Sequence, residues 1–301
     1  MSDGAPDKAT GPTPEPSSTA DASQSQSAVL GTVKTLGFIV AIQVFALAIT
    51  KVNLPITTEV GTVYQPGGTS SGGSIVNVLI LVAFVFATTL TAVWLARRRQ
   101  VKLFMAMIFG GTAIALFLLT FLASISLTDG VMSAGASLYL SLAFATATVV
   151  LLSLIAIHRV PASFALVLTG LLSAEVGSYF ASAIPILTAL LLPLGFALYD
   201  IYTVFRGPLK TLINTIPDES LTTMASKIGD FSIGTGDTVF YAMVPALGYY
   251  RFGFSSAFLA ILAVDAGVIV TLYLLSKAKL LPGLPIPMGL GVAVLLAFYL
   301  H

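Results

Sequence analysis

The chain contains no cysteine. That removes disulfides, thiolate metal sites and cysteine nucleophiles together. Charge is nearly as scarce. Asp, Glu, Lys and Arg make up 9% of the 301 residues, against about 25% in an ordinary soluble domain. The few charges almost cancel, with a net of +1, so no basic surface points to nucleic acid. Histidine occurs twice, as His158 and His301. Neither falls inside an apolar run, and no HExxH motif is present, so zinc-dependent and histidine-activated serine chemistry lack residues to carry them. The expectation is no cofactor and no metal site.

What is present is apolar. Hydrophobic side chains account for 56% of the residues, and they fall in long runs. A spanning helix needs about 20 mostly apolar residues. Nine stretches qualify, at 30–50, 75–95, 103–127, 131–157, 161–182, 185–205, 231–249, 255–276 and 283–300. The pattern predicts an all-α, polytopic membrane protein with nine transmembrane helices, whose first partner is the lipid bilayer. Only Thr128-Asp129-Gly130 separates the third and fourth helices, and the fifth and sixth join tightly around Ala183 and Ile184. A longer loop at 51–74 has a glycine- and serine-rich tip from Gly67 to Ser74, and a polar loop at 206–230 joins helices six and seven.

Residues 1–28 are different. They are rich in Pro, Ser, Thr, Ala and Gln and nearly lack large apolar side chains. Such a composition does not offset the entropy of ordering, so a disordered tail is expected ahead of a membrane domain at 29–301. It has no basic start followed by an apolar core, so it does not read as a signal peptide.

Basic residues set the expected orientation, because cytoplasmic loops carry an excess of Lys and Arg. One set of alternate loops holds Arg97, Arg98, Arg99, Lys102, Arg159, Arg206, Lys210, Lys227, Lys277 and Lys279, while the opposite set holds only Lys51 and Arg251. Lys34 flanks the first helix on the rich side. The N-terminus is therefore expected in the cytoplasm and the C-terminus outside the cell membrane.

Four acids lie inside the apolar runs, where a charge costs several kcal/mol and marks a functional candidate. Asp200 lies six residues before Arg206, so roughly 9 Å below the cytoplasmic edge. Asp237 lies seven residues after Asp230, so roughly 10 Å below the same edge. The two helices run in opposite directions, yet their carboxylates reach one layer. Glu175 and Asp265 lie deeper, at roughly 21 and 18 Å, where they are expected to approach each other or to hydrogen-bond a neighbouring helix.

Two carboxylates a few ångströms apart do not both ionise readily and share one proton across a wide pH range. That state holds a general base and a general acid at once. The base takes a proton from water as it attacks a peptide carbonyl, while the acid polarises the carbonyl and then assists the leaving amine. Gly234 and Gly236, just before Asp237, allow close approach by the sixth helix or by a substrate. Tyr199, beside Asp200, is a candidate for steering the dyad or substrate through its hydroxyl.

On these residues the chain resembles the presenilin family of intramembrane aspartyl proteases. The resemblance covers Tyr199-Asp200, Gly234-Thr235-Gly236-Asp237, the nine helices and the cytoplasmic N-terminus. It implies aspartic endopeptidase activity on transmembrane-helix substrates, with Asp200 and Asp237 catalytic. A third family element, Pro-Ala-Leu-Pro before the last helix, corresponds to Pro282-Gly283-Leu284-Pro285, with Gly283 replacing alanine. In the family this element lies beside the dyad and helps to position substrate. Pro245-Ala246-Leu247 is a decoy, eight residues beyond Asp237 on the same helix.

Two departures stand out. The 206–230 loop is short, and Thr235 stands where presenilins of multi-subunit complexes have leucine. The chain thus resembles a compact microbial homologue without obligatory subunits, a state compatible with a homo-oligomer, and Thr235 is a candidate for tuning substrate preference. The strand-prone segment 211–216 is a candidate to pair with unwound substrate. Signal peptide peptidases share both motifs in the opposite orientation, which the charge bias disfavours. Prepilin peptidases share GxGD but have fewer helices and a different first motif. From another class, an ion- or proton-coupled transporter or cation channel would use the four intramembrane acids as a path.

Overall fold

The structure is a computed structural model that describes residues 18–60, 66–98, 100–128, 131–156, 161–206, 225–228, 231–277 and 281–301. In chain order the elements are α1 (Ser18–Val60), α2 (Ser71–Arg97), α3 (Val101–Thr128), α4 (Ala134–Ala156), α5 (Ala162–Ala183), α6 (Ile186–Phe205), β1 (Ala225–Ile228), β2 (Phe231–Gly234), α7 (Thr235–Phe252), α8 (Phe254–Leu275) and α9 (Pro285–Leu300). Among the described residues there are nine helices, matching the nine apolar runs, and one antiparallel hairpin that pairs Ala225 with Gly234 and Ile228 with Phe231.

Seven of these helices, α1 to α6 and α8, are long and apolar enough to cross a membrane, and the chain is a multi-pass membrane protein. The two exceptions are informative. Helix α9 has only 16 residues, and α7 carries Asp237 in its first turn and Arg251 in its last. Every residue of α7 from Phe240 to Gly248 is buried. Its neighbours are protein rather than lipid, so it tolerates polar ends that a lipid-facing helix would not.

Helix α7 is the hub. It packs against α5, α8, α1 and α9, with α3 and α4 paired at the periphery and α2 laid on α6. Small residues bring the backbones together, as expected where lipid supplies no hydrophobic drive between helices. A Cβ on Gly177 of α5 would lie 2.7 Å from the Val239 carbonyl oxygen and 2.9 Å from the Met243 nitrogen. A hydrogen bond of 2.7 Å between Ser173 and Thr238 fixes the same pair of helices beside the start of α7. The joint between α7 and α8 is the single residue Gly253, whose φ of 91° suits only a residue without Cβ.

The boundaries differ from the hydropathy reading in three places. Helix α1 begins at Ser18, inside the polar leader, because adding residues to a nucleated helix is far easier than starting one. Residues 1–17 of the expected tail lie outside the described residues. The same helix runs on to Val60, and α2 starts at Ser71, which shortens the 51–74 loop. Asn77 ties down the loop tip: its side chain accepts from Gly67 N at 2.7 Å and donates to Gly68 O and Thr188 Oγ1, each at 3.1 Å. Third, α7 begins at Thr235 rather than near 231, since Phe231–Gly234 pairs as β2.

Candidate active site

Asp200 lies one and a half turns before the end of α6 and is half-buried. One of its carboxylate oxygens, Oδ2, accepts the backbone N–H of Leu284 at 3.1 Å. Asp237 is the third residue of α7, three after the extended Gly234. A carboxylate in a helix's first turn faces free N–H groups and the positive end of the macrodipole, a position that suits an acid. Its Oδ2 lies 2.6 Å from where a Cβ on Gly283 would be.

The two acids therefore meet at one dipeptide, Gly283-Leu284. Covalent geometry within that dipeptide limits the separation of the two Oδ2 atoms to about 9 Å. One turn away from the acids, the rings of Phe196 and Phe240 pack with centroids 4.7 Å apart. That pair holds α6 against α7, which otherwise touch sparingly.

The 282–285 segment is built to stay in place. Pro282 and Leu284 are buried, Leu284 caps α9, and Pro285 begins it. Proline at a helix's first position costs no hydrogen bond, because that N–H has no intrahelical partner. The Tyr241 hydroxyl donates to Gly283 O at 3.0 Å. Tyr241 is itself buried and follows Asp237 by one turn. It was absent from the sequence-level candidates. The signal was its i+4 spacing from Asp237, which puts both on one helix face.

The other candidates separate into those at the site and those beside it. Gly234 lies against Asp237, with its Cβ position 3.4 Å from Oδ2. Gly236 is exposed and, among the described residues, has nothing within 4 Å of its Cβ position, so no described helix approaches it closely. Thr235 opens α7, and its carbonyl accepts from Thr238 Oγ1 at 2.8 Å. Tyr199 points elsewhere: its hydroxyl pairs with Thr89 Oγ1 of α2 at 2.6 Å, and its ring meets Phe86 and Phe196 edge-on. In this arrangement it fastens α6 to α2. Pro245 lies in the buried middle of α7, away from the acids. The segment 211–216 falls outside the described residues.

Glu175 and Asp265 do not pair. Glu175 Oε2 accepts from Thr120 of α3 at 3.2 Å, whereas Asp265 Oδ1 accepts from Gln43 of α1 at 3.2 Å. Similar depth put them in one layer, but helix rotation sends them to different neighbours. Among the described residues no three of His, Asp or Glu gather as a metal site.

No family model matches the sequence, and no curated protein matches it. Solved structures do share the fold. One is a presenilin family intramembrane aspartate protease in a C222 crystal form, with a TM-score of 0.59 and 20% identity over 88% of this chain and 95% of that one. A presenilin family intramembrane aspartate protease in a P2 form gives 0.60 and 22%, over 88% and 96%. Over that matched length the chain shares the fold of these membrane proteases.

Proposed function

We propose that the protein is an intramembrane aspartic endopeptidase that hydrolyses peptide bonds within transmembrane helices. The observation that carries the reading is the meeting of Asp200 and Asp237 at Gly283-Leu284, although the three segments are far apart in sequence. The fold shared with presenilin family intramembrane aspartate proteases supports it.

In this reading the carboxylate pair shares a proton. The ionised member takes a proton from water as the water attacks the scissile carbonyl. The protonated member gives its proton to the carbonyl oxygen, the other then passes the proton taken from water to the leaving nitrogen, and the collapsing diol returns a hydroxyl proton to the first. The Leu284 N–H occupies one lone pair of Asp200 and fixes the direction of its other oxygen. Tyr241 holds the Gly283 carbonyl, so the turn that separates the two acids stays put. Exposed Gly236 leaves the approach beside Asp237 open for a substrate backbone. A transmembrane substrate must unwind there, because its peptide groups are otherwise hydrogen-bonded within the helix. Strand β2 leads into Gly234, and its edge away from β1 is a template for an extended segment.

The charge bias of the loops supports a cytoplasmic N-terminus, and so substrates whose own N-termini lie outside. The separate partners of Glu175 and Asp265 argue against a continuous carboxylate path of the kind a transporter or channel uses. Purified protein in detergent is tested on a single-pass substrate, with mass spectrometry locating the cut. Cleavage within the spanning segment supports the proposal, and the absence of any cleavage by wild type across several such substrates contradicts it.

A further inference from the structure

Glu175 is not used by the dyad, yet it is not sealed in the core. It lies at the edge of a cavity of about 100 Å³ between α3, α4 and α5. The lining is mostly leucine, including Leu116, Leu151, Leu152, Leu168 and Leu172. Of the lining residues only Leu116 is buried, and the others are half-exposed, so the cavity is open at the flank of three apolar helices long enough to span a membrane. It has about two-thirds the volume of the roughly 150 Å³ apolar cavity that binds benzene, and its open side leaves room for the rest of a guest.

The threonine hydroxyls at this cleft have no proton to offer a guest. Thr148 Oγ1 donates to Ala145 O at 2.8 Å and Thr169 Oγ1 to Ala165 O at 2.8 Å, so both hydroxyl protons are already used. Thr120 donates to Glu175 Oε2, and the carboxyl group has further acceptor capacity. The carboxyl of Glu175 is therefore the group left to meet a guest, and a basic nitrogen suits it whichever of the two holds the proton.

Depth narrows its class. Glu175 is eight residues from the nearer end of α5, about 12 Å along the axis. A phospholipid keeps its ammonium in the headgroup layer, so the guest is a molecule that enters the hydrocarbon whole. We propose that this cleft binds small lipophilic amines, with an apolar ring among the leucines and the amine nitrogen on Glu175. Amine and carboxyl together hold one shared proton, so binding brings no net charge into the membrane. The site is distinct from the dyad, but α5 joins the two. Glu175 lies between Ser173 and Gly177, and residues two apart on a helix point to nearly opposite sides. One side of α5 holds α7 beside Asp237, and the other walls the cleft.

The test uses full-length protein in lipid nanodiscs and needs no proteolysis readout, so it stands apart from the function proposed above. The probe is a benzylamine carrying a photoactivatable diazirine, compared with its N-acetyl and benzyl alcohol counterparts. Saturable labelling of α3, α4 or α5 peptides by the amine, with about tenfold preference over both neutral probes, is expected for a charge-assisted hydrogen bond. In Glu175→Gln that preference disappears while neutral-probe labelling persists. Equal labelling by all three probes in wild type, or labelling elsewhere in the chain, overturns the proposal. So does an amine preference that survives in Glu175→Gln.

Discussion

The backbone N–H of Leu284 donates to the carboxylate of Asp200 across 84 positions of sequence, at 3.1 Å. The preceding residue, Gly283, has its open side against Asp237. One short turn thus sets the position of both acids, and its composition controls the site.

Gly283→Ala is predicted to damage activity more than stability. The new Cβ would sit 2.6 Å from Asp237 Oδ2, where ordinary contact begins at 3.4 Å. The carboxylate must yield by several tenths of an ångström. Misplacement on this scale is expected to lower kcat by on the order of tenfold or more, with KM little changed. Steady-state kinetics on a fluorogenic transmembrane peptide checks the split, with the thermal midpoint as control.

Tyr241→Phe removes the hydroxyl that holds Gly283 O at 3.0 Å and leaves the ring in place. The stability loss is expected to be about 1 kcal/mol. Activity falls further than that loss explains, because the 282–285 turn loosens over the dyad. Tyr199→Phe, whose hydroxyl binds Thr89 instead, is expected to retain more activity than Tyr241→Phe. Parallel assays of the two variants give the comparison.

Gly177→Ala is predicted to lower the thermal midpoint in detergent. Its Cβ meets the α7 backbone at 2.7 and 2.9 Å, where nothing can swing aside, and overpacking of this kind costs about 1–3 kcal/mol. Gly110→Ala is the matched control. It lies mid-helix on α3 with nothing within 4 Å among the described residues, so it is expected to be neutral, or stabilising by about 0.5–1 kcal/mol.

The orientation is testable without activity. Ten basic residues lie on one set of loops and two on the other, which predicts a cytoplasmic N-terminus. Terminal tags in sealed inverted vesicles distinguish the ends: protease removes an N-terminal tag and spares a C-terminal one. The reverse pattern contradicts the charge reading.

Much of this was legible in the sequence because a membrane simplifies the grammar. The long apolar runs marked the helices, and counting the rise from flanking charges put Asp200 and Asp237 in one layer. Rotation was not legible. Nothing in the Tyr199-Asp200 pair says which residue faces α2, yet Thr89 takes the tyrosine. Glu175 and Asp265 share a depth but face α3 and α1. Helix α7 begins later than hydropathy suggested, because Phe231 to Gly234 are apolar enough for a helix but pair as a strand. Tyr241 was missed because a buried aromatic on an apolar helix looks like packing until its hydroxyl partner, a carbonyl 42 residues away, is seen.

The most direct test of the central claim is cleavage of a single-pass substrate by purified wild type, Asp200→Asn and Asp237→Asn, each shown to be folded by its thermal midpoint. The account predicts that wild type cuts within the spanning segment and that each asparagine variant loses at least about a hundredfold in rate, the scale of a lost general acid or base. Product formed at near wild-type rate by either folded variant would contradict it.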